Sequence, residues 1–422
     1  MTYYLLPKAN ILTYKSLDCI LGDEPPTSII SNSLCDYLYD IKKEIDARER
    51  DWDIYKKYTN PYEYIHSQIP LKKKCVAKYK PISRSYFKMI EMLSIFNLKF
   101  DSRPIHSFHL AEGPGGFIEA LLNTRRCVHD KYIGMTIIDN NNDQNIPGWK
   151  KTDFFLKQNK NVLIEVGQDG TGNILSLENL QYCNKKYESS MDLITADGGF
   201  DFSLDFNNQE IIITKLLFAQ MTYALLMQKQ GGSFILKIFD TFMNHSVDIL
   251  YILSSFYDKV YIIKPHTSRY ANSEKYVVCK GFLFQNNHSF ISILTSAFER
   301  MLITEKPIHR FLNIQIPIYF LTKLEEYNAI FGQQQIENIY YTISLTKNKN
   351  KQEKIENLIK SNIQKCTSWC IKYAVPYNVF LIFNPSNSIG SNMNFSAELS
   401  LFNMDDIIKE NIEVEENVPE II

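Results

Sequence analysis

The chain lacks most of what would tie it to a membrane, a metal or an oxidising compartment. No apolar run among its 422 residues reaches the roughly 18 that a membrane-spanning helix needs. The opening residues, MTYYLLPKANIL, lack a basic stretch followed by an apolar core, so no secretory leader is expected. The eight cysteines are scattered without a CxxC pair. The two nearest, Cys366 and Cys370, have neither a second pair nor neighbouring histidines to complete a zinc site. Reduced, mostly buried thiols are expected, in a soluble protein inside the cell. Neither sign of charge dominates: 46 Lys and Arg stand against 47 Asp and Glu, a net of −1. That balance excludes a protein that holds nucleic acid by bulk charge, though not one with a local basic groove.

What is present is ordinary globular composition, 45% apolar and 22% charged, in a chain long enough to bury a large core. Apolar positions at helical spacing (Leu34, Leu38, Ile41, Ile45) make the first eighty residues a mostly helical extension. A basic run, LKKKCVAKYK, closes it at 71–80. Residues 82–97 read as a helix. Its apolar side carries Phe87 and Ile90, and Arg84, Lys88 and Glu91 share another face.

From about 107 the pattern alternates. SFHLAEG, KYIGMTII, NVLIEV, MDLITAD, SFILKIF, KVYIIKP and KYVVCKGFLF read as strands, with helices between most of them and a long apolar helix over 207–230. This is a doubly wound α/β sheet over 81–290. The last two strands have no helix between them, which sets one antiparallel at the sheet edge. Residues 291–404 read as helical, and 405–422 as an acidic, solvated tail with seven acids and one lysine. Asn and Ile are abundant, as in an AT-rich genome.

Five features could carry chemistry, and each has a bland reading. The turn Ala111 to Phe117, AEGPGGF, joins a strand to a helix, where glycines let backbone approach a ligand; it could equally be a plain turn. It is neither GxGxxG nor a P-loop. Asp197 ends an apolar strand before two glycines, facing the same crevice, or it caps a turn. Lys237 sits among apolar strand neighbours; a buried lysine needs a partner or a lowered pKa, unless it reaches solvent from an edge. Glu274, beside Arg269 and Lys275, and Lys88, on its helix, each read singly as solvated charges.

Their joint order is more specific than any one of them. Lys88, the Gly-rich turn, Asp197, Lys237 and Glu274 resemble the Lys-Asp-Lys-Glu tetrad of the FtsJ-like (RrmJ-type) ribose 2′-O-methyltransferases, closest to the mRNA cap methyltransferases of animals and viruses. The matching strings are SRSYFKM, AEGPGGF, IGMT, TADGGFDF, FNNQE, GGSFILKIFD and KPHTSRYANSEKYVVCKG, spanning about 80–285. The resemblance implies a Rossmann-like methyltransferase sheet and S-adenosylmethionine as methyl donor, with no metal. It implies cofactor contacts from Gly113, Pro114, Gly115, Gly116, Phe117 and Asp197. Asn173 falls where relatives often carry an Asp that contacts adenosine. An amide lacks that charge but still hydrogen-bonds, and Asp169 is the substitute if the loop is shifted. Glu112 stands where relatives often have a small residue.

On this resemblance Lys88, Asp197, Lys237 and Glu274 are the catalytic set, with Lys237 as base or orienting group for a 2′-hydroxyl and the carboxylates positioning and balancing charge. The substrate implied is RNA, the capped 5′ end of mRNA. Lys72, Lys73, Lys74, Lys264 and Arg269 are the candidate RNA contacts, and a capping or transcription protein is a possible partner. The same chemistry on ribosomal or transfer RNA, and an inactive RNA-binding scaffold, are the competing readings. The wrong glycine spacing disfavours a nicotinamide dehydrogenase. The AT-rich usage fits a large DNA virus, which would place the chain in the host cytoplasm. The acidic tail contributes a net of −6, so the rest of the chain carries about +5, which suits a brief grip on one RNA end.

Overall fold

The computed structural model describes residues 3–70, 72–98, 100–101, 103–138, 148–150, 152–199, 208–285, 288–348 and 352–379. The acidic tail, residues 380–404 before it, and Phe200 to Asn207 within two of the quoted strings lie outside them.

Ten strands are described: β1 (Tyr3–Leu5), β2 (Leu17–Leu21), β3 (His106–Leu110), β4 (Lys131–Met135), β5 (Val162–Ile164), β6 (Met191–Ala196), β7 (Gln228–Ile238), β8 (Tyr257–Ile263), β9 (Lys275–Phe282) and β10 (Ile308–Leu312). Eight form one sheet in the order β1-β8-β9-β7-β6-β3-β4-β5. β3 to β7 are mutually parallel, and β9 runs antiparallel to both β7 and β8. The chain winds outward from β3 through β4 to β5, then returns to place β6 on the other side of β3. The carboxyl ends of β3 and β6 are therefore the switch point, where an open α/β sheet leaves a crevice.

The helix Thr214–Met227 is apolar nearly all round and buried at almost every position, because it lies between the sheet and an outer layer of helices. Asn244–Phe256 is buried in the same way. Both are crossover helices, which is why their sequences show little amphipathic alternation.

Three expectations change in detail. The antiparallel strand β9 is not at the edge but one place inside β8. The edge is β1, which pairs antiparallel with β8 through Tyr3–Ile263, Tyr4–Ile262 and Leu5–Tyr261. The helix read over 207–230 ends at Met227, and Gln228 already opens β7, its amide donating to Met191 O at 2.7 Å and accepting from the Tyr257 hydroxyl. The flanks read as helical also contain strands: β2 of the N-terminal region pairs with β10 of the C-terminal one. Hydrophobic periodicity in YYL and LDCIL is too short to separate a strand from a turn.

No helix of the described residues is long and apolar enough to cross a membrane. Among the described residues no group of three or more His, Cys, Asp or Glu is arranged to hold a metal ion.

Candidate active site

The four tetrad residues arrive from four elements. Lys88 comes from the helix Ser85–Ile95, Asp197 follows β6, Lys237 lies near the end of β7, and Glu274 immediately precedes β9. Because β9 is antiparallel, its beginning lies beside the end of β7. The register sets Lys237 opposite Tyr276 and Ile238 opposite Lys275.

The charges meet in two pairs. Lys88 Nζ lies 2.7 Å from Glu274 Oε1, with side chains 5% and 9% exposed. Lys237 Nζ donates to the Asp197 carbonyl at 2.6 Å and lies 3.3 Å from Asp197 Oδ1. The two pairs are bridged by Tyr276, whose hydroxyl donates to Asp197 Oδ1 at 2.7 Å and lies 3.4 Å from Lys88 Nζ. Burial alone would raise the Glu274 carboxyl, but Lys88 and Lys237 hold it well below the ordinary range. Burial lowers Lys88 against the pull of Glu274 and Asp197. Burial, then Asp197 and Glu274, push the Tyr276 phenol well up, so it remains a donor.

The Gly-rich turn closes the crevice from β3. Gly113 and Gly116 are small for reasons within the protein. A Cβ on Gly113 would overlap the Gly148 carbonyl, and one on Gly116 would overlap the Ser85 hydroxyl. Gly115 has φ +108°, where a side chain is strained. Thr152 Oγ1 donates to the Pro114 carbonyl at 2.7 Å, tying the turn to the next segment. Glu112 caps the following helix: its Oε1 accepts from the Phe117 N–H. Its Oε2 is buried without a hydrogen-bond partner, 3.2 Å from His109 Nδ1. Burial and then Asp197 hold the Glu112 carboxyl well above its usual range, and burial lowers His109 to about 3, which leaves the imidazole neutral at pH 7.

Residues 81–282 match the family described as FtsJ-like methyltransferase. These residues form an FtsJ-like methyltransferase domain. Over 332 residues the chain is 31% identical to cap-specific mRNA (nucleoside-2′-O-)-methyltransferase 2 of Pongo abelii, covering 76% of this chain and 42% of that protein. It is 38% identical over 177 residues to cap-specific mRNA (nucleoside-2′-O-)-methyltransferase 1 of Trypanosoma cruzi, covering 40% and 46%. With the human protein of the latter name it shares 34% over 245 residues, covering 53% and 27%. The chain thus spans less than half the length of these curated relatives.

The FtsJ-like domain brings some expected residues to the crevice and withdraws others. Phe117 is buried with its ring against Tyr276, centroids 6.0 Å apart, so only its backbone faces the turn. Asn173 is half-buried in a loop packed on the end of β4. Its Oδ1 accepts from Leu175 N at 2.9 Å. Asp169 is occupied by Thr171 and Asn179 and serves its own loop. Lys72, Lys73 and Lys74 are exposed on one turn.

Lys264 and Arg269 are corrections. Lys264 is buried and donates to Asn272 O and Oδ1 and to Glu274 O, so its ammonium points into the protein. Arg269 grips the Glu63 carboxylate through two nitrogens at 2.7 and 3.0 Å. Both stabilise the segment that presents Glu274 and are not placed to border an RNA groove. Tyr276, which bridges the two charged pairs, is the residue of this set that sequence reasoning missed. Its signal was the period of two: on a strand, residue 276 shares a face with residue 274.

The Asp197 carboxylate at the end of β6, 13% exposed, is a counter-charge for a cationic methyl donor, and Glu112 Oε2 at the end of β3 is a buried oxygen without a hydrogen-bond partner.

Proposed function

We propose that the FtsJ-like domain transfers a methyl group from S-adenosylmethionine to a ribose 2′-hydroxyl of RNA, at the cap-proximal nucleotide of mRNA. The observation that carries this reading is the Tyr276 bridge that joins Lys88–Glu274 and Asp197–Lys237 into one hydrogen-bonded set. The names of the relatives point to the cap.

The turn Gly113 to Phe117, with Glu112, Asp197 and Asn173, would hold the cofactor. S-adenosylmethionine supplies a methyl group already activated on a sulfonium, so the protein's tasks are alignment and removal of one proton. Lys237, fixed by the Asp197 carbonyl and carboxylate, orients the 2′-hydroxyl and, as the neutral amine, takes its proton as the oxygen–carbon bond forms and the donor's carbon–sulfur bond breaks. Asp197 and Glu274 balance the positive charge that Lys88 carries and that Lys237 acquires. The Tyr276 hydroxyl keeps Asp197 in line. The exposed turn Lys72–Lys74 supplies phosphate contacts. A partner from the capping or transcription machinery, and a host-cytoplasmic setting for a viral chain, belong to the same reading.

The test is labelled-methyl transfer to short capped, uncapped and structured RNAs, with the modified ribose mapped. Methyl on the 2′-oxygen beside the cap is expected; methyl on a base refutes the reading. Lys237→Ala should abolish transfer while leaving cofactor affinity within a few fold, and retained turnover removes Lys237 from the mechanism.

A further inference from the structure

Glu274 is carried by an irregular segment, residues 264–274, between β8 and β9. Such a segment has no ladder to satisfy its backbone or fix its shape. One helix holds it at both ends. Lys88 grips Glu274 at the far end, and Glu91, one turn along the same helix, grips the near end. Glu91 Oε2 accepts from the His266 N–H and Oε1 from the Thr267 N–H, each at 2.9 Å. Ser268, the next residue, donates its hydroxyl to Glu274 Oε1 at 2.6 Å. The geometry therefore runs from Glu91 through two backbone amides to a side chain that touches the tetrad.

A third donor completes Glu91 from far along the chain. Trp369, in the helix Gln352–Lys372, donates its indole N–H to Glu91 Oε1 at 2.8 Å. Glu91 is fully buried and Trp369 is 3% exposed. Among the described residues Glu91 has no lysine or arginine in salt-bridge range. Burial pushes the Glu91 carboxyl up to about 7 against these donors, so a polar group here is costly where an apolar side chain would pack, and mere stability does not call for it. A fixed acceptor for two turn amides does.

We propose that Glu91 is a positioning residue for Glu274, and that the C-terminal helix takes part in the same task through Trp369. This rests on the methyltransferase reading of the tetrad. It gives the region beyond the FtsJ-like match a part in the chemistry: Trp369, 87 residues past the end of the matched segment at 282, completes the support of the catalytic carboxylate.

Two variants test it, Glu91→Gln and Trp369→Phe. The first keeps the shape but offers one acceptor oxygen for three donors; the second keeps an aromatic ring and removes only the N–H. Each is measured for kcat and KM with capped RNA, for cofactor affinity by calorimetry, and for backbone hydrogen exchange without substrate. For Glu91→Gln, kcat is expected to fall about tenfold, with KM and cofactor affinity within twofold. Exchange should quicken in residues 264–275 and stay unchanged in β6 and β7. Trp369→Phe should show the same pattern at about threefold. Unchanged kcat in either folded variant, or exchange that quickens throughout the molecule, overturns the proposal. Should Glu91→Gln fail to fold, Trp369→Phe decides alone. Should the wild type methylate no RNA, the methyltransferase reading fails, and the exchange pattern still decides whether Glu91 and Trp369 fix this segment.

Discussion

The buried pair of Lys88 and Glu274 allows its structural worth to be separated from its catalytic worth. At 2.7 Å and an effective dielectric of about 20, Coulomb's law gives an attraction of roughly 6 kcal/mol. Desolvating two ions costs about as much, so the intact pair adds little net stability. Removing one partner is different. In Lys88→Met the Glu274 carboxylate keeps only the Ser268 hydroxyl and the more distant Lys237, and burial then drives its pKa upward. The expected loss is about 3–5 kcal/mol. Glu274→Gln leaves the Lys88 ammonium with an amide oxygen and the Tyr276 hydroxyl and should cost somewhat less. The double variant has neither charge, and its stability should return to within about 2 kcal/mol of wild type. The cycle, measured by urea unfolding at pH 7, should give a coupling of at least about 3 kcal/mol. Methyl transfer should not return with stability, because the double variant still lacks two of the four tetrad groups. Additivity within about 0.5 kcal/mol would refute the pairing. Restored turnover in the double variant would refute the catalytic assignment.

Two further outcomes are expected. Tyr276→Phe keeps the ring against Phe117 and removes one hydrogen bond to a carboxylate, worth about 1.5–3 kcal/mol. If that bond holds Asp197 in the transition state, kcat falls by roughly ten- to a hundredfold; kcat within twofold of wild type removes Tyr276 from the active set. Glu63 is buried, yet Arg269 outweighs burial and holds it at about 2, below its ordinary 4.5. A carboxyl depressed in the folded state stabilises above the unfolded pKa and loses that contribution as pH falls through the folded one. Wild type should therefore lose about 3 kcal/mol relative to Glu63→Gln between pH 4.5 and 2. Parallel stability curves for the two proteins over that range would refute the Glu63–Arg269 assignment.

The strands that build the crevice were legible because each is a compact apolar run next to a turn or helix signal. The tetrad was legible only as an ordered set. Singly, Lys88 looks like a solvated helical lysine, and nothing local shows that it is buried. The face it shares with Arg84 and Glu91 looks polar and hence exposed; in fact Lys88 and Glu91 are both buried against residues 264–274. Sequence periodicity reports polarity, and a face that meets another polar segment carries the same signature as one that meets water. Lys264 and Arg269 were misjudged for the same reason, since their partners, Glu274 O and Glu63, are fixed by tertiary contacts. The edge strand β1 was invisible because three residues are too few for a period.

The net charge of −1 acquires a different meaning once burial is known. Beside the tetrad, at the ends of β7 and β9, lies a second charged group: Lys42, Lys264 and Lys275 around Asp240, with Lys42 Nζ 2.9 Å from Asp240 Oδ2. Burial holds the Glu210 carboxyl up to about 7 and brings Lys264 down to about 7, so each carries part of its charge at neutral pH. Together with Lys88 and Lys237, five lysines at this end of the sheet stand beside four carboxyl groups: Asp197, Glu210, Asp240 and Glu274. Charges with low-dielectric walls are screened by salt much less than charges on the surface. An excess of at most about one positive charge here would attract a phosphate chain more effectively than the same excess spread over the exterior. A protein with no bulk charge can in this way draw a polyanion to one place. The exposed turn at Lys72–Lys74 would add a salt-sensitive contact, whereas the buried lysines would set a part of the attraction that salt removes poorly.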